Sequence, residues 1–496
     1  MSIKRLGMSL LVAVCVPATL LWSAGTREAA AEALPVVTQL VGQQTHPAAN
    51  NSVMQEVARR TGVDWRPTVV TEGEDHSARL SAMIAARTLP DFFTVNIGLG
   101  DQLVASGLLK EMSGLIAEYG SNVAEAAGDA LHTGLNTREE VWGIPSPAVY
   151  AARIAVRKDW LDNLGMSVPQ TLEEFSDVLH AFTFKDPNRS GRDDTIGLGV
   201  RVGAGADSNF FVGIFAAFGV PYMRPILKDG VVTSHMMHEN YLDAVRYLRR
   251  LYREGVMEPD FATIPQLPLF EKLWNGAMGA IDFFPNGTTQ NWIGRYREDP
   301  KPVFEYTVIK GPDGVGGTLR MHSNVHTVLA ASAKHPVEAM KLADYFHGFE
   351  GQVLLFFGIE GKHFRWVDRA NYTHEHIPPY NDAATLRGDG GWVYYNPWRR
   401  AADNFEILIL NDQTRRAVNQ GYDLAIDDAY IYRPTKIEQE LGTTLRDIEM
   451  EALATLIVTE DDLERVYRRF VERWLASGGR DYQVQATEIY EQERGL

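Results

Sequence analysis

The segment Asp186-Pro187-Asn188-Arg189-Ser190-Gly191-Arg192-Asp193-Asp194 carries the sharpest local chemistry in the sequence. Asp186, Asn188, Ser190 and Asp194 put oxygen-bearing side chains at positions 1, 3, 5 and 9 of a loop, with Gly191 at position 6. A hard divalent cation needs several oxygens on a sharply turning chain, and an EF-hand loop meets that need with this spacing. Arg192 would add its backbone carbonyl. The glutamate of position 12 is missing, because Gly197 stands there, and Lys185, Arg189 and Arg192 raise the local positive charge. The same residues also suit a polar turn whose Asp and Asn side chains cap their own backbone. The expectation is one structural calcium ion held by Asp186, Asn188, Ser190, Arg192 and Asp194, clamping a loop rather than activating water.

Aromatic residues form the second feature. A sugar presents flat apolar C–H faces ringed by hydroxyls, so its site pairs aromatic plates with polar side chains at the rim. Residues 388–400 crowd Trp392, Tyr394, Tyr395, Trp398, Arg399 and Arg400 among glycines and a proline. Large aromatic groups on such a loop are costly to expose without a purpose. Trp392, Tyr395 and Trp398 are therefore expected to contact a ligand, with Trp65, Trp142 and Tyr150 as further candidates. Core packing is the competing account of each.

Other constellations carry less. His235 and His238 are three apart and His374 and His376 two apart, with no third metal ligand beside either pair. Surface histidines are expected at these positions. The glycine-rich stretch 311–317 is turn chemistry, since no Gly-Lys-Ser/Thr follows to cradle a phosphate. Carboxylates are paired at Glu139-Glu140, Glu173-Glu174, Asp427-Asp428 and Asp461-Asp462. A glycosidase needs two carboxyls set across a bound sugar, and adjacency in sequence does not supply that separation. No serine nucleophile elbow is present.

The elements that must position these residues alternate. Short apolar strands are expected over 35–41, 65–70, 92–95, 150–156 and 280–284, and helices over 51–60, 78–86, 159–164, 172–182, 241–253 and 451–475. Thr171 and Glu174 have the spacing of a capping box. Alternation of this kind predicts parallel βαβ units and an α/β fold, with ligands held beyond the carboxyl ends of strands. That places Gln43–His46, with Gln44, and Asn96–Asp101, with Asn96, as candidate pocket loops.

The chain has 496 residues, enough for two or three cores, and 45% of them are apolar. The net charge of -16 repels phosphate backbones, so no nucleic-acid partner is expected. Lys4 and Arg5 precede a nearly continuous apolar run, Met8 to Trp22, and then small residues. That is the order of a secretory signal peptide, with cleavage between 24 and 33. The single cysteine, Cys15, lies inside the apolar run, so the mature chain would hold no disulfide and no thiolate metal site. Val12-Ala13-Val14 suits lipidation of Cys15 poorly, which favours a soluble periplasmic protein over a tethered one.

Several ordered segments carry a family resemblance. They are Ala86-Arg87-Thr88-Leu89-Pro90-Asp91, Leu103–Leu109, Arg157-Lys158-Asp159-Trp160-Leu161, Val168-Pro169-Gln170-Thr171, His335–Ala339, Gly358-Ile359-Glu360-Gly361, and Leu456–Thr459 with Trp474. Through them the chain resembles the extracellular solute-binding proteins of carbohydrate ABC importers, in the branch of alginate-oligosaccharide-binding proteins and related lipoproteins. The resemblance implies a two-lobe periplasmic-binding-protein fold (type II), with a ligand cleft between lobes joined by crossing segments. It implies lobes of residues 34–147 plus 285–345 and 148–284 plus 346–496, after a signal segment 1–33. It also implies a lobe crossing near Phe284 and Asn286, which become ligand candidates. Relatives of that branch bind calcium with an acidic residue just after the last loop aspartate, where this chain has Thr195. The expected function is capture of an oligosaccharide by a monomer that delivers it to importer membrane subunits, with no catalysis. An exported polysaccharide-acting enzyme, or a binding protein for a peptide or other non-sugar solute, are the alternatives.

Overall fold

A computed structural model of the chain describes residues 33–43, 46–71, 74–137, 139–145, 154–203, 210–282, 295–314, 316–317, 319, 324–370, 373–394, 398 and 424–494. The expected signal segment, and Gln44, Tyr150, Phe284, Asn286 and Tyr395 of the candidate site, lie outside the described residues.

Two sheets organise the molecule. The first contains β1 (Val36–Gly42), β2 (Asp64–Val70), β3 (Phe92–Asn96), β4 (Ile144–Pro145) and β11 (Val325–Leu329), in the order β2-β1-β3-β11-β4. β1 runs parallel to β2 and β3, as the alternating pattern predicts, while β11 is antiparallel to β3 and β4. Parallel neighbours need crossovers, and helices Ser52–Thr61 and Glu74–Ala86 supply them. The first starts where the Asn51 side chain accepts the Met54 N–H (3.1 Å) and stops at Gly62, whose φ of 69° only glycine adopts freely. Strand alternation sends Val37 and Val41 to one face of the sheet and Leu40 to the other.

The second sheet contains β5 (Ile154–Arg157), β6 (Ile196–Gly199), β9 (Met278–Asp282) and β10 (Phe304–Thr307), in the order β10-β5-β9-β6. β9 is parallel to β6 and antiparallel to β5. Two hairpins, β7 (Ile226–Lys228) with β8 (Val231–Thr233) and β12 (Phe364–Asp368) with β13 (Thr373–His376), stand outside both sheets. Helix Leu172–Phe184 opens on the expected capping box: Thr171 accepts the Glu174 N–H at 3.2 Å, and the Glu174 carboxylate accepts the Thr171 N–H at 3.3 Å. Helix Tyr241–Arg253 covers the expected range and buries Val245, Leu248 and Leu251. The helical stretch expected over 451–475 is the end of one helix, Lys436–Val458, and a second, Leu463–Trp474. Asp462 interrupts it by capping the second helix, accepting the Arg465 N–H at 2.7 Å.

Each sheet has its own core. Val37, Trp65, Phe92, Leu329, Phe346, Leu354, Phe364 and Trp398 share one. Ile154, Phe175, Leu198, Phe215, Leu248, Ile281, Phe304 and Leu453 share another. The chain passes between them after β4, between β10 and β11, and after Trp398, so the later crossings fall further along the chain than the expected ones at 284/285 and 345/346. Phe304–Thr307 pairs with β5 in the second sheet, and Phe346 to Trp398 packs on the first. Apolar periodicity marks a segment as buried without saying which sheet buries it. Among the described residues no helix is long and apolar enough to cross a membrane.

Candidate functional site

The structure brings two of the expected pocket segments together. Gln43, at the carboxyl end of β1, donates from Nε2 to the Val393 carbonyl at 3.3 Å. Ala48 N–H reaches the Gly388 carbonyl at 2.8 Å, and Asn51 donates to the Tyr394 hydroxyl at 2.8 Å. The chain after β1 and the aromatic loop after Gly388 thus form one surface.

Asp389 fixes that surface. Its carboxylate accepts the Ser52 N–H (2.9 Å), the Ser52 hydroxyl (2.7 Å), Lys362 Nζ (2.7 Å), His363 Nε2 (3.0 Å) and the Tyr380 hydroxyl (3.2 Å). Partial burial pushes this carboxyl up, but hydrogen bonds from Lys362, Ser52 and His363 outweigh it and hold the group well below the ordinary carboxylate range. Ser52, His363 and Asp389 meet here, yet their order is not that of a nucleophile. His363 Nδ1 accepts the Ile359 N–H at 2.8 Å, so its Nε2 carries the proton and donates to Asp389. The His363 ring does not bond the Ser52 hydroxyl, which donates to the same carboxylate and accepts from Lys362 Nζ, an ammonium that is itself paired with Asp389. The cluster ties a helix start to two loops.

Trp392 sits next to this anchor. Its N–H bonds the Leu355 carbonyl at 2.9 Å and its φ is 61°, a left-handed backbone that a bulky L residue adopts only under strain. The indole is half-buried, with the Arg387 guanidinium 4.3 Å from the ring centre and Phe356 at 5.5 Å.

Trp65 and Trp398 are corrected from ligand plates to core residues. They are 1% and 0% exposed, and their indole N–H groups converge on one acceptor, Gln39 Oε1, at 3.1 and 3.3 Å. Phe346 packs on both, and Tyr394 packs on Trp65. Buried tryptophan needs an acceptor for its N–H, and Gln39 alternates onto the same face of β1 as Val37 and Val41. The apolar pattern of β1 hid that role. Asn96 stands exposed at the end of β3, where its Oδ1 accepts the Leu99 N–H at 2.9 Å and caps helix Ile97–Ala105.

The loop expected to hold calcium is a tight turn, with positive φ at Asp186, Arg189 and Gly191. Ser190 Oγ lies 3.5 Å from Asp186 Oδ1, 3.4 Å from the Arg192 carbonyl and 3.0 Å from Asp194 Oδ1. Asn188 donates to Asp194 at 3.0 Å, while Asp186 accepts the N–H groups of Ser190 and Gly191 at 2.8 and 3.0 Å. Side-chain oxygens of Asp186, Asn188, Ser190 and Asp194 and one carbonyl thus converge, a donor set that fits a hard cation in kind. The Arg192 guanidinium pairs with Asp194 at 2.9 Å and offsets part of its charge. Among the described residues no three His, Cys, Asp or Glu side chains come together to hold a metal.

The histidine expectation is corrected at His235, which is buried rather than exposed. Burial lowers its ring to about 3, so it stays neutral near pH 7. His374 packs on Phe357 at 4.1 Å and on His376 at 5.4 Å, inside an aromatic cluster of the β12–β13 hairpin.

Similarity to known proteins follows the same architecture. Lipoprotein LipO of Bacillus subtilis is 22% identical over 466 residues, covering 90% of each chain. The polygalacturonan/rhamnogalacturonan-binding protein YtcQ of the same organism is 25% identical over 464 residues, covering 87% of this chain and 86% of its own. An HMO-binding, ABC-transporter-associated solute-binding protein from Bifidobacterium longum infantis superposes with a TM-score of 0.66 at 18% identity, over 92% of this chain and 98% of that one. This likeness shows the two-lobe periplasmic-binding fold of type II that the sequence resemblance implies. Residues 45–353 match the bacterial extracellular solute-binding protein family, and with more than half of its length inside that match, the chain belongs to this family.

Proposed function

We propose that this protein captures an oligosaccharide outside the cytoplasm and hands it, chemically unaltered, to the membrane subunits of an ABC importer. The observation that carries the reading is Trp392. It is a half-buried indole held in a strained backbone, on a loop anchored through Asp389 to the start of helix Ser52–Thr61 and through Val393 to Gln43 at the carboxyl end of a parallel strand. Open α/β sheets bind ligands at that end, and strain of this kind concentrates at ligand sites. Family membership supports solute capture, and the saccharide named for YtcQ supports the ligand class. Arg387 on the indole suits a sugar that carries carboxylates. Closure of the two lobes around ligand would give the importer a state to read.

The deciding experiment is a thermal-shift and calorimetric panel of trigalacturonate, a rhamnogalacturonan oligosaccharide, a neutral hexose oligosaccharide and a peptide, with products followed by chromatography. Saturable stabilisation by a saccharide, without turnover, is expected. Turnover of a saccharide would establish the enzyme reading, and stabilisation by the peptide alone would replace the ligand class. We read the mature protein as a soluble periplasmic monomer rather than a lipoprotein. Acylation of Cys15, seen by mass spectrometry of the exported protein, would overturn that.

The donor set at Asp186, Asn188, Ser190, Asp194 and the Arg192 carbonyl supports a structural calcium ion in that turn. Bound there, the ion would supply charge compensation and loop rigidity. Chelation should then lower the melting temperature of the native protein and leave Asp186→Ala unaffected. Equal response of the two would remove the ion from the account.

A further inference from the structure

Residues 426–437 lie on the second core at both ends and reach the first lobe in the middle. Ile431 and Ile437 pack in the core of the second sheet, and the Ala429 N–H bonds the Pro225 carbonyl at 2.8 Å. Between them, Tyr432 packs against the apolar cluster of Leu40, Phe93, Ile97 and Leu103 on the first sheet. Arg433 makes a two-pronged ion pair with Asp101, Nε to Oδ2 at 2.9 Å and Nη2 to Oδ1 at 3.2 Å. Asp101 belongs to helix Ile97–Ala105, which begins at Asn96 at the mouth of β3.

The segment is held from behind as well. Glu493, on the last helix (Arg480–Arg494), accepts the Tyr432 N–H at 2.9 Å and the Arg433 N–H at 3.0 Å. Its side chain is 6% exposed and lies 3.8 Å from Arg433 Nη1. Arg494 also donates to the Tyr430 carbonyl at 3.0 Å. A buried carboxylate that receives two backbone N–H groups fixes the chain locally, because leaving either donor unpaired is expensive. The guanidinium is therefore presented at a set position, and its planar fork then fixes both distance and angle to Asp101.

We propose that Arg433 is a positioning residue for ligand capture: mounted on the last helix through Glu493, it pins helix Ile97–Ala105 of the first lobe and so sets the angle between the lobes. The inference rests on the binding function proposed above and adds the residue that tunes it. The pair acts through geometry and not through contact with the ligand. Because the pair is about two-fifths exposed on each side, its loss should be modest, about three- to fivefold in affinity.

The test uses the full mature chain as wild type, Arg433→Gln, Asp101→Asn, the double variant, and the exchanged pair Asp101→Arg with Arg433→Asp. Small-angle X-ray scattering without ligand reads the lobe angle, and calorimetry with trigalacturonate reads affinity. Each single variant should shift the scattering profile and weaken binding by about three- to fivefold. The double variant should match the singles rather than multiply them, and the exchanged pair should recover part of the loss. Added salt should move the ligand-free wild-type scattering profile toward that of Arg433→Gln and leave the variant's own profile flat, a response that a merely structural role would not give. Scattering of Arg433→Gln identical to wild type overturns the proposal, whether or not trigalacturonate binds. A shifted profile with no binding of any saccharide sustains the pin and removes the oligosaccharide reading instead.

Discussion

Replacing Glu449 by glutamine should make the protein more stable in mild alkali and not in acid. Glu449 lies on helix Lys436–Val458, and its side chain faces a cavity of about 110 Å³ lined also by Ser234, His235, Glu438, Arg446, Trp474 and Tyr482. Burial raises its carboxyl from the ordinary 4.5 to about 7, against the opposing hydrogen bond from Ser234 (2.5 Å) and the more distant charge of Arg446. His235 Nδ1 stands 3.9 Å away, on a ring that burial keeps neutral above about 3. The folded chain therefore keeps a proton on Glu449 between pH 4.5 and 7 that the unfolded chain has released. Stability from this group is complete below 4.5 and falls as pH rises through 7. At about 1.4 kcal/mol per tenfold change in proton affinity, the loss is of order 3 kcal/mol at pH 8. Glutamine keeps an acceptor for Ser234 and carries no charge. Melting temperatures of wild type and Glu449→Gln should be compared at pH 5, 6.5 and 8. The variant is expected to gain several degrees on wild type between pH 5 and 8. Asp282 is also raised, to about 7, and His235 titrates with the opposite sign, but both are common to the two proteins and cancel in the difference. A gap between variant and wild type that does not change with pH would refute the burial argument.

Gln39→Leu leaves the indole N–H groups of Trp65 and Trp398 without their acceptor. A loss of about 2–4 kcal/mol, read by denaturant titration of tryptophan fluorescence, is expected. Asp389→Ala removes the acceptor that Ser52, Lys362, His363 and Tyr380 share. It should destabilise by about 3 kcal/mol at pH 7 and weaken saccharide binding, while wild type loses the same contribution only as pH falls below the ordinary aspartate range. Trp65→Ala should cost about 3–5 kcal/mol of stability, whereas Trp392→Ala should cost little stability and abolish most saccharide affinity. Calorimetry beside thermal melts separates the two, and the reverse pattern would move the ligand away from Trp392.

Local order was legible in the sequence wherever one short-range force decides it. The capping box at Thr171 and Glu174, the range of helix Tyr241–Arg253 and the parallel β1, β2 and β3 all follow from neighbours a few residues apart. Two sequence signals had meanings that only packing revealed. The apolar run of β1 contains Gln39, whose amide serves two tryptophans that are 26 and 359 residues distant. His235 reads as a surface residue, but the helices that follow it bury it fully.

The sequence by itself determined the α/β class, the order of elements and the turn at Asp186–Asp194, because periodicity, capping and turn chemistry act over one or two turns of chain, and its ordered segments carried the resemblance to solute-binding proteins. Tertiary structure decided which aromatics are core and which border a ligand surface. Trp65, Trp392 and Trp398 are the same residue type on similar apolar-rich stretches, and only Trp392 is half-buried and strained. It also decided that Asp389 joins Ser52 and that Arg433 joins Asp101 across 332 residues. Burial and ion pairing depend on what the rest of the chain places opposite a side chain, and no local pattern encodes that.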